Sequence, residues 1–299
     1  MPTNQVIKKF YKYATPETLT AILKTKSVRY SSPLKFNDPF DMQSGLHFDF
    51  DIQTLHDKIL DRVVELISSK NVPSVDFNNP WGEWIMKLHS YYPAQGFNRD
   101  GWKKDTVNIF NLLVKELKIT QIKYQDYWKK TLPDARVFCV SEERDNLLMW
   151  AHYAKDHTGA VLEFLSLPEE DNPLSIAQPV NYSSSPMPFF TENEWINDIL
   201  SLKKIDFKEL NKRYAYEKGM GWSYEKEWRV WYPQIPTNNE LHSEMPVRQS
   251  ELASIYIGCK ASNSFADDTI KMAGISFPNT KLFRASKHID IHGLIYSEI

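Results

Sequence analysis

Residues 136–164 read RVFCVSEERDNLLMWAHYAKDHTGAVLEF, a stretch in which the type of secondary structure changes twice. Its β-branched and aromatic start, 136–141, predicts a strand. A helix is predicted from 145 to about 154, with Glu142 or Asp145 near its start. Gly159 then turns the chain into a second strand at 160–164. The stretch is therefore a predicted strand–helix–strand unit.

Strand and helix patterns continue on both sides of this unit. Upstream, 9–13 alternates aromatic and basic residues and predicts a strand, and Thr15 with Pro16 predicts the start of a helix. A second strand is predicted at 28–32. Downstream, helices are predicted at 192–202, 208–216 and 265–272, and strands at 228–232, 253–257 and 281–285. Short strands in local groups, separated by helices, predict an α+β fold.

The segment 51–130 has helical periodicity throughout. Apolar residues recur at Leu55, Ile59 and Val63, and again at Ile109 and Leu112. The polar stretch 71–81, which contains two prolines, is predicted to separate these helices. We therefore predict a single α+β domain over 1–299, in which 51–130 is a helical insertion that covers the site.

The composition is that of an ordinary globular protein. The 299 residues carry 36 Lys and Arg against 38 Asp and Glu, so no global field draws the chain to nucleic acid or to an anionic membrane. Cys139 and Cys259 lack a second Cys or a His at metal-ligand spacing, which argues against disulfides and structural zinc. Residues 1–10 have no signal-peptide core, and no apolar run approaches the roughly 20 residues of a membrane span. We expect a cytoplasmic protein with no membrane partner.

The first polar motif is the loop NDPFD that follows Phe36. It is a good turn sequence, because Asn and Asp side chains bond nearby backbone and Pro fixes φ. Phe36 and Phe40 are expected to anchor the loop on the core and to leave Asn37, Asp38 and Asp41 pointing together. The loop is then either a shaped wall or a contact for a ligand or cation.

The second motif is MWAHY, at the end of the helix predicted at 145–154. Helical spacing places Met149, His152 and Tyr153 on one face. A lone His on a helix is usually a structural residue, whereas a neighbouring Tyr and the nearby Asp145 favour a functional site.

The third motif is EKEWR, which ends at Arg229. Strand alternation would align Glu225, Glu227 and Arg229 on one face and Trp228 with Val230 on the other, which is the expected core face. An exposed Glu–Arg pair would contribute on the order of 0 to 1 kcal/mol. Two carboxylates sharing a site could instead orient or deprotonate a substrate, because burial and repulsion push their pKa values apart.

Tyr11, Lys12 and Tyr13 occupy the first predicted strand. Alternation would place the two tyrosines on one face and the lysine on the other. Either the strand is amphipathic with a solvated lysine, or the tyrosines form part of a pocket wall.

Taken together, the motifs resemble a bacterial family known only as a domain of unknown function. The resemblance rests on Tyr11-Lys12-Tyr13, on Ser32-Pro33 with the loop 36–41, on Ser141 with 149–153 and Gly159, and on the segment 225–229. It covers most of the chain outside the helical insertion.

The motif order is more distantly similar to the ADP-ribosyltransferase core, which implies a mixed or antiparallel β core and NAD as substrate. In those enzymes the first strand contacts NAD, a middle element packs on nicotinamide and a late strand supplies the catalytic glutamate. By position, Lys12 or Tyr13 would hold NAD, and Ser141 or Tyr153 would contact nicotinamide. Glu227 would be the catalytic carboxylate, and Glu225 would help the acceptor.

The motifs and the resemblance together give a set of predicted site residues. The catalytic residues are predicted to be Glu227, Glu225, Tyr153 and His152, and the residues that bind NAD to be Tyr11, Lys12, Tyr13, Ser141, Trp150, Asn37, Asp38 and Arg229.

The leading hypothesis is a toxin or phage-defence effector that transfers ADP-ribose from NAD, a small-molecule nucleotide, to a protein or nucleic-acid acceptor. One alternative is a metal-dependent nuclease or hydrolase using Asp38, Asp41, Glu225 and Glu227. Another is a non-catalytic module whose helical insertion binds a partner protein.

Overall fold

A computed structural model describes residues 8–45, 47–76, 80–91, 96–235 and 240–299. The chain forms two compact units. The first unit contains the segments up to Gln43, Thr131–Ser185 and Tyr216–Ile299, and the second contains Ser44–Lys130 and Pro186–Ala215. The segment 51–130 therefore lies in the second unit.

The helices lie in both units and the strands in the first. The helices are α1 Pro16–Thr25, α2 Leu55–Ser68, α3 Pro80–Tyr91, α4 Arg99–Thr131, α5 Leu147–Tyr153, α6 Glu192–Ile199, α7 Phe207–Ala215 and α8 Asn263–Ser276. The strands are β1 Lys9–Ala14, β2 Ser27–Ser31, β3 Arg136–Ser141, β4 Ala160–Leu165, β5 Gln178–Pro179, β6 Asn181–Ser183, β7 Glu217–Gly219, β8 Glu227–Tyr232, β9 His242–Pro246, β10 Leu252–Ile257, β11 Lys281–Lys287 and β12 Leu294–Glu298.

Ten of these strands form one mixed sheet in the order β12-β11-β10-β4-β1-β3-β2-β9, and β8 pairs with β3 and β5. The pairs are antiparallel except for β10 with β11. A separate parallel pair joins β6 to β7. The predicted α+β class is confirmed, with a mixed sheet as its core.

The first helix shows how local sequence sets the elements of this sheet. The side chain of Thr15 accepts a hydrogen bond from the Thr18 backbone N–H, and Pro16 occupies the first helical turn. Leu19, Ile22 and Leu23 are buried in the core that α1 and α8 share with the sheet. Because one helical face is apolar, α1 lies against the sheet with its polar face outward.

On the other side of β1, the helix α5 packs through Trp150, which is completely buried. Its indole meets the Tyr13 ring edge-on at 5.8 Å between centroids. The helix begins at Leu147 and not at 145, because Asn146 caps it by accepting hydrogen bonds from the backbone N–H groups of Leu148 and Met149.

The second unit contains the predicted helices and one correction to them. Leu55, Ile59 and Val63 are buried along α2, as their spacing predicts. Ile109 and Leu112 are 46% and 64% exposed on α4, so the predicted apolar face does not extend to them. The predicted separating stretch 71–81 ends two residues too late, since α3 begins at Pro80, and positions 77–79 lie outside the described residues. No helix in the described ranges is both long enough and apolar enough to cross a membrane.

Gly159 precedes β4 at a close backbone approach. A Cβ there would lie 2.1 Å from the carbonyl oxygen of Ala14. We expect G159A to lower the free energy of unfolding by about 1–3 kcal/mol, because backbone atoms must shift to admit the methyl group. Urea denaturation followed by circular dichroism measures this loss.

G274A is the matched control for this substitution. Gly274 lies within α8, and a Cβ at that position has no neighbour within 4 Å. G274A should leave stability unchanged or raise it by up to about 1 kcal/mol, since Ala favours helix over Gly. Equal losses in both variants would contradict the explanation for Gly159.

Candidate functional site

Five charged side chains are buried together in the first unit. They are Asp41, Lys218, Glu225, Glu227 and Arg229, each no more than 7% exposed. Three carboxylates and two cations therefore share one buried cluster, which we call the charge cluster. Such groups are kept inside a protein only when they pair with one another.

The backbone around Lys226 brings Glu225 and Glu227 together. The predicted continuous strand through Glu225 is wrong, because β8 begins at Glu227 and Glu225 ends a 3-10 turn. Lys226 between them has a φ of 43°, in the left-handed region. Both glutamates nevertheless reach Lys218, so the predicted convergence arises from a turn and not from strand alternation.

The expected burial of β8 is also only half right. Val230 is fully buried and Trp228 is partly buried, as expected of a core face. The opposite face, with Glu227 and Arg229, is buried as well, so the strand has no solvated Glu–Arg pair.

Arg229 joins the carboxylates of two separate segments. Its Nη1 and Nη2 donate to the two oxygens of Asp41 at 2.9 and 2.6 Å. Its Nε and Nη2 donate to the two oxygens of Glu227 at 2.8 and 3.1 Å. Bidentate pairs of this kind fix geometry as well as charge. The guanidinium thereby holds the NDPFD loop against β8.

Lys218, on β7, connects the two glutamates. Its Nζ lies 2.5 Å from Glu225 Oε2, 2.9 Å from Glu227 Oε2 and 3.7 Å from Asp41 Oδ2. The remaining oxygen of Glu225, Oε1, accepts a hydrogen bond from the Tyr153 hydroxyl at 2.5 Å. The Tyr153 hydroxyl in turn accepts from Asn37 Nδ2 at 3.4 Å. A chain of polar contacts thus runs from the loop to the charge cluster.

The two glutamates have opposite pKa shifts. Burial by itself would raise the pKa of Glu227, but the charges of Arg229 and Lys218 outweigh it and hold that pKa well below the ordinary range. Burial raises the pKa of Glu225, with Lys218 opposing and the charge of Glu227 adding to the rise. Of the two glutamates, Glu227 therefore stays ionised to lower pH, and Glu225 is the one that takes up a proton more readily.

The pKa of Glu227 predicts an acid-dependent loss of stability. A depressed folded-state pKa stabilises the fold above the unfolded value of about 4.3, and this contribution is lost as pH falls toward the folded value. The difference in unfolding free energy between the wild type and E227Q should therefore shrink between about pH 5 and pH 3. Urea denaturation at several pH values measures it.

Glu169, an exposed residue, provides the control for this experiment. The E169Q curve should run parallel to that of the wild type over the same pH range. A constant difference between the wild type and E227Q would show that Glu227 is not the source of the acid sensitivity.

A cavity of about 440 Å³ borders the charge cluster. Its lining includes four residues of the charge cluster, Asp41, Lys218, Glu225 and Glu227. Most of the predicted site residues also line it, namely Tyr11, Lys12, Tyr13, Asn37, Ser141, His152, Tyr153, Glu225 and Glu227. Motifs distant in sequence therefore meet at one concave surface, as expected of a small-molecule site.

Three predicted NAD-binding residues lie elsewhere. Trp150 is completely buried in the core, where its Nε1 donates to the Arg144 carbonyl at 3.0 Å. Asp38 is buried and accepts from the Phe40 backbone N–H at 2.9 Å, so it shapes the turn. Arg229 is enclosed behind the carboxylates that line the cavity.

The NDPFD loop is held differently from the prediction. Phe40 is 72% exposed and does not anchor it, whereas Phe36 is partly buried. Phe36 packs on the guanidinium of Arg229, 5.5 Å from its ring centre. Asp41, through Arg229, is the anchor. Of the three polar side chains predicted to point together, the exposed Asn37 and the buried Asp41 both line the cavity, whereas Asp38 does not.

The cavity wall contains several groups that stay neutral. Burial, with the charge of Glu163 adding, raises the pKa of Tyr11 to about 12. Burial likewise raises the pKa of the Cys139 thiol, which excludes a ready thiolate nucleophile. Ser141 is buried and donates to the Glu225 backbone carbonyl at 2.7 Å. Ser141 therefore positions Glu225.

The remaining wall residues have mixed roles. Lys12 is half-buried, and its Nζ donates to the Cys139 carbonyl at 2.8 Å. Tyr13 is buried and donates to the Glu143 carbonyl at 2.9 Å. His152 is exposed, with its Nδ1 3.1 Å from the Tyr224 hydroxyl. The imidazole of His152 is thus accessible to solvent.

Lys218 is the site residue that the sequence motifs do not indicate. It lies in the segment YEKG, whose only local signal is the following glycine. Its pairing depends on β7 lying beside β6 and on the 3-10 turn that returns Glu225 to it. Asp41 was predicted as part of the NDPFD loop that could contact a ligand or cation, and as a member of the metal-dependent alternative.

Three of the four carboxylates of that alternative, Asp41, Glu225 and Glu227, are already paired with Lys218 and Arg229. Lys218 and Arg229 lie where a metal ion would have to contact Asp41, Glu225 and Glu227. Within the described part of the chain, no group of three or more His, Cys, Asp or Glu side chains is arranged to hold a metal ion.

A family model described as "Protein of unknown function (DUF2971)" matches residues 149–230. The match begins at Met149 of the MWAHY motif and ends one residue after Arg229 of the EKEWR motif. It therefore includes Tyr153, Lys218 and both glutamates of the charge cluster. No curated protein and no solved structure matches the chain.

Proposed function

We propose that the protein is an ADP-ribosyltransferase-like enzyme that uses NAD as substrate and reacts in the cavity beside Glu225. The observation that carries the proposal is the position of Glu225. Glu225 lines the cavity, and its carboxylate is bonded to Tyr153 and Lys218 and has a raised pKa. A carboxylate with these properties suits general-base chemistry near neutral pH.

The arrangement of the other motifs supports the same reaction. The strand with Tyr11, Lys12 and Tyr13, the Ser141 position and the two glutamates line one cavity. This is the order of elements that makes the chain similar to the ADP-ribosyltransferase core. Aromatic rings beside the carboxylates suit a nicotinamide ring, which stacks on such surfaces.

The proposed step breaks the bond between the ribose C1′ of NAD and the nicotinamide nitrogen. The nitrogen keeps the electron pair, and nicotinamide leaves as a neutral molecule. An acceptor nucleophile forms a new bond to C1′, and its proton passes to Glu225. The net negative charge of the charge cluster stabilises the positive charge that develops on the ribose in this step.

These roles differ in one respect from those implied by the family resemblance. Both oxygens of Glu227 accept hydrogen bonds from Arg229, and one of them also accepts from Lys218. The negative charge of Glu227 is therefore paired within the charge cluster. Burial raises the pKa of Glu225, so Glu225 is the glutamate that more readily accepts a proton. We therefore propose Glu225 as the general base and Glu227 as the group that fixes Lys218 and Arg229.

Incubation with NAD that is labelled in the adenylate part tests the proposal. The protein is mixed with labelled NAD and a bacterial lysate, and free nicotinamide and labelled macromolecules are measured separately. Label on protein or on nucleic acid would identify the acceptor class, as expected of a toxin or phage-defence effector. Neither nicotinamide release nor label transfer would contradict the proposed function.

A further inference from the structure

Lys218 has a position that a merely structural lysine does not need. It is about as buried as the carboxylates, at 7% exposed, and it also lines the cavity. Its Nζ contacts Glu225 Oε2 and Glu227 Oε2 at 2.5 and 2.9 Å. The ammonium thus carries the positive charge that faces Glu225, while Arg229 faces Asp41 and Glu227.

The charges of the cluster do not balance. Asp41, Glu225 and Glu227 carry three negative charges when ionised, and Lys218 and Arg229 carry two positive charges. One negative charge is in excess, and the loss of Lys218 would make the excess two. A buried excess of negative charge is reduced when one of the carboxylates takes up a proton.

The hydrogen bonds indicate which carboxylate would take it. Asp41 and Glu227 each accept two N–H bonds from Arg229, and these bonds favour the ionised form. Glu225 accepts from the Lys218 ammonium on one oxygen and from the neutral hydroxyl of Tyr153 on the other, so without Lys218 only the neutral donor remains. A protonated Glu225 could no longer accept a proton from an acceptor nucleophile.

We infer that Lys218 is a positioning residue that keeps Glu225 deprotonated and directed into the cavity when substrate binds. This inference rests on the proposed function, because it explains how that site is made ready for catalysis. It assigns Lys218 no contact with the reacting atoms. Its effect on the reaction passes through Glu225.

Titratable and charged groups surround Glu225 on several elements. They are Lys218 on β7, Glu227 and Arg229 on β8, Tyr153 on α5, Asp41 in the NDPFD loop, Tyr182 on β6 and the adjacent Tyr224. Burial raises the pKa of Asp41 even though Arg229 opposes the rise. Asp41 is therefore the competing site for the proton.

Carbon-13 NMR of protein labelled at the glutamate side-chain carboxyl distinguishes the two sites. The resonance that disappears in E225Q is that of Glu225. In K218M we expect the pKa of Glu225 to rise by at least about one unit, because an opposite charge within hydrogen-bond distance shifts a carboxyl by that much. In K218R, which keeps the charge, it should stay near the wild-type value. The acid limb of the pH profile for nicotinamide release should move with it.

The titration tests the role of Lys218, and the reaction tests the proposed function, so each can fail without the other. An unchanged Glu225 titration in K218M would overturn the inference. Absence of nicotinamide release in the wild type would contradict the proposed function, while the titration would still decide whether Lys218 controls Glu225.

A second measurement applies if K218M does not fold. The double variant K218M/E225Q restores the wild-type excess of one negative charge, whereas K218M/E169Q does not. We expect E225Q, and not E169Q, to raise the thermal midpoint of K218M or to restore its folding. Equal behaviour of the two double variants would overturn the inference.

Discussion

R229M is expected to lower the free energy of unfolding by about 3–5 kcal/mol, the cost of leaving buried charges without their partner. Arg229 is fully buried and donates to both oxygens of Asp41 and of Glu227. Methionine fills a similar volume but provides no N–H donor. Urea denaturation of R229M and the wild type measures the loss.

The size of this effect depends on burial, and a surface arginine provides the comparison. Arg29 pairs with Glu244 at 3.0 Å, and both side chains are exposed, at 60% and 42%. R29M should cost on the order of 0 to 1 kcal/mol, because solvent screens such a pair. A similar loss in R29M and R229M would contradict the buried charge cluster.

Loss of Arg229 should also release the NDPFD loop. Asp41 is joined to β8 through Arg229, and Phe40 is exposed and provides no second anchor. Limited proteolysis should therefore cut R229M near this loop under conditions in which R29M stays intact. The loop contributes Asn37 and Asp41 to the cavity, so ligand binding there should weaken as well.

Elements with strong local signals could be predicted from the sequence. β1, α1, β3 and β4 were predicted close to their observed bounds because a capping threonine, a proline at the helix start and runs of β-branched residues mark them. β9 was missed, since its sequence HSEMP is polar and contains Pro246. Its strand conformation depends on pairing with β2, which is a tertiary contact.

The candidate site shows the same division between local and tertiary information. Glu225 and Glu227 could be predicted because they stand close together in one motif. Lys218 could not, because its role comes from the fold of β7 and the turn after it. Trp150 was misassigned, since helical spacing does not show which aromatic ring the core encloses.

The second large effect is expected at Glu225. E225Q should lower the rate of nicotinamide release by about 10²- to 10⁴-fold, the usual contribution of a general base. Glutamine keeps the shape of the side chain and a hydrogen bond with Tyr153, but it cannot accept the proton of the acceptor. Initial rates under saturating NAD measure the loss.

Stability separates this catalytic loss from damage to the fold. E225Q leaves two carboxylates with two cations and removes a group whose raised pKa costs stability at neutral pH. Its thermal midpoint should therefore equal or exceed that of the wild type. E227Q removes a carboxylate that Arg229 and Lys218 both bind, and its midpoint should fall. E169Q should change neither rate nor midpoint. Wild-type rates in E225Q would show that Glu225 is not the general base. A slow but fully stable E225Q would establish that the Glu225 carboxylate acts in the reaction and is not needed for the fold.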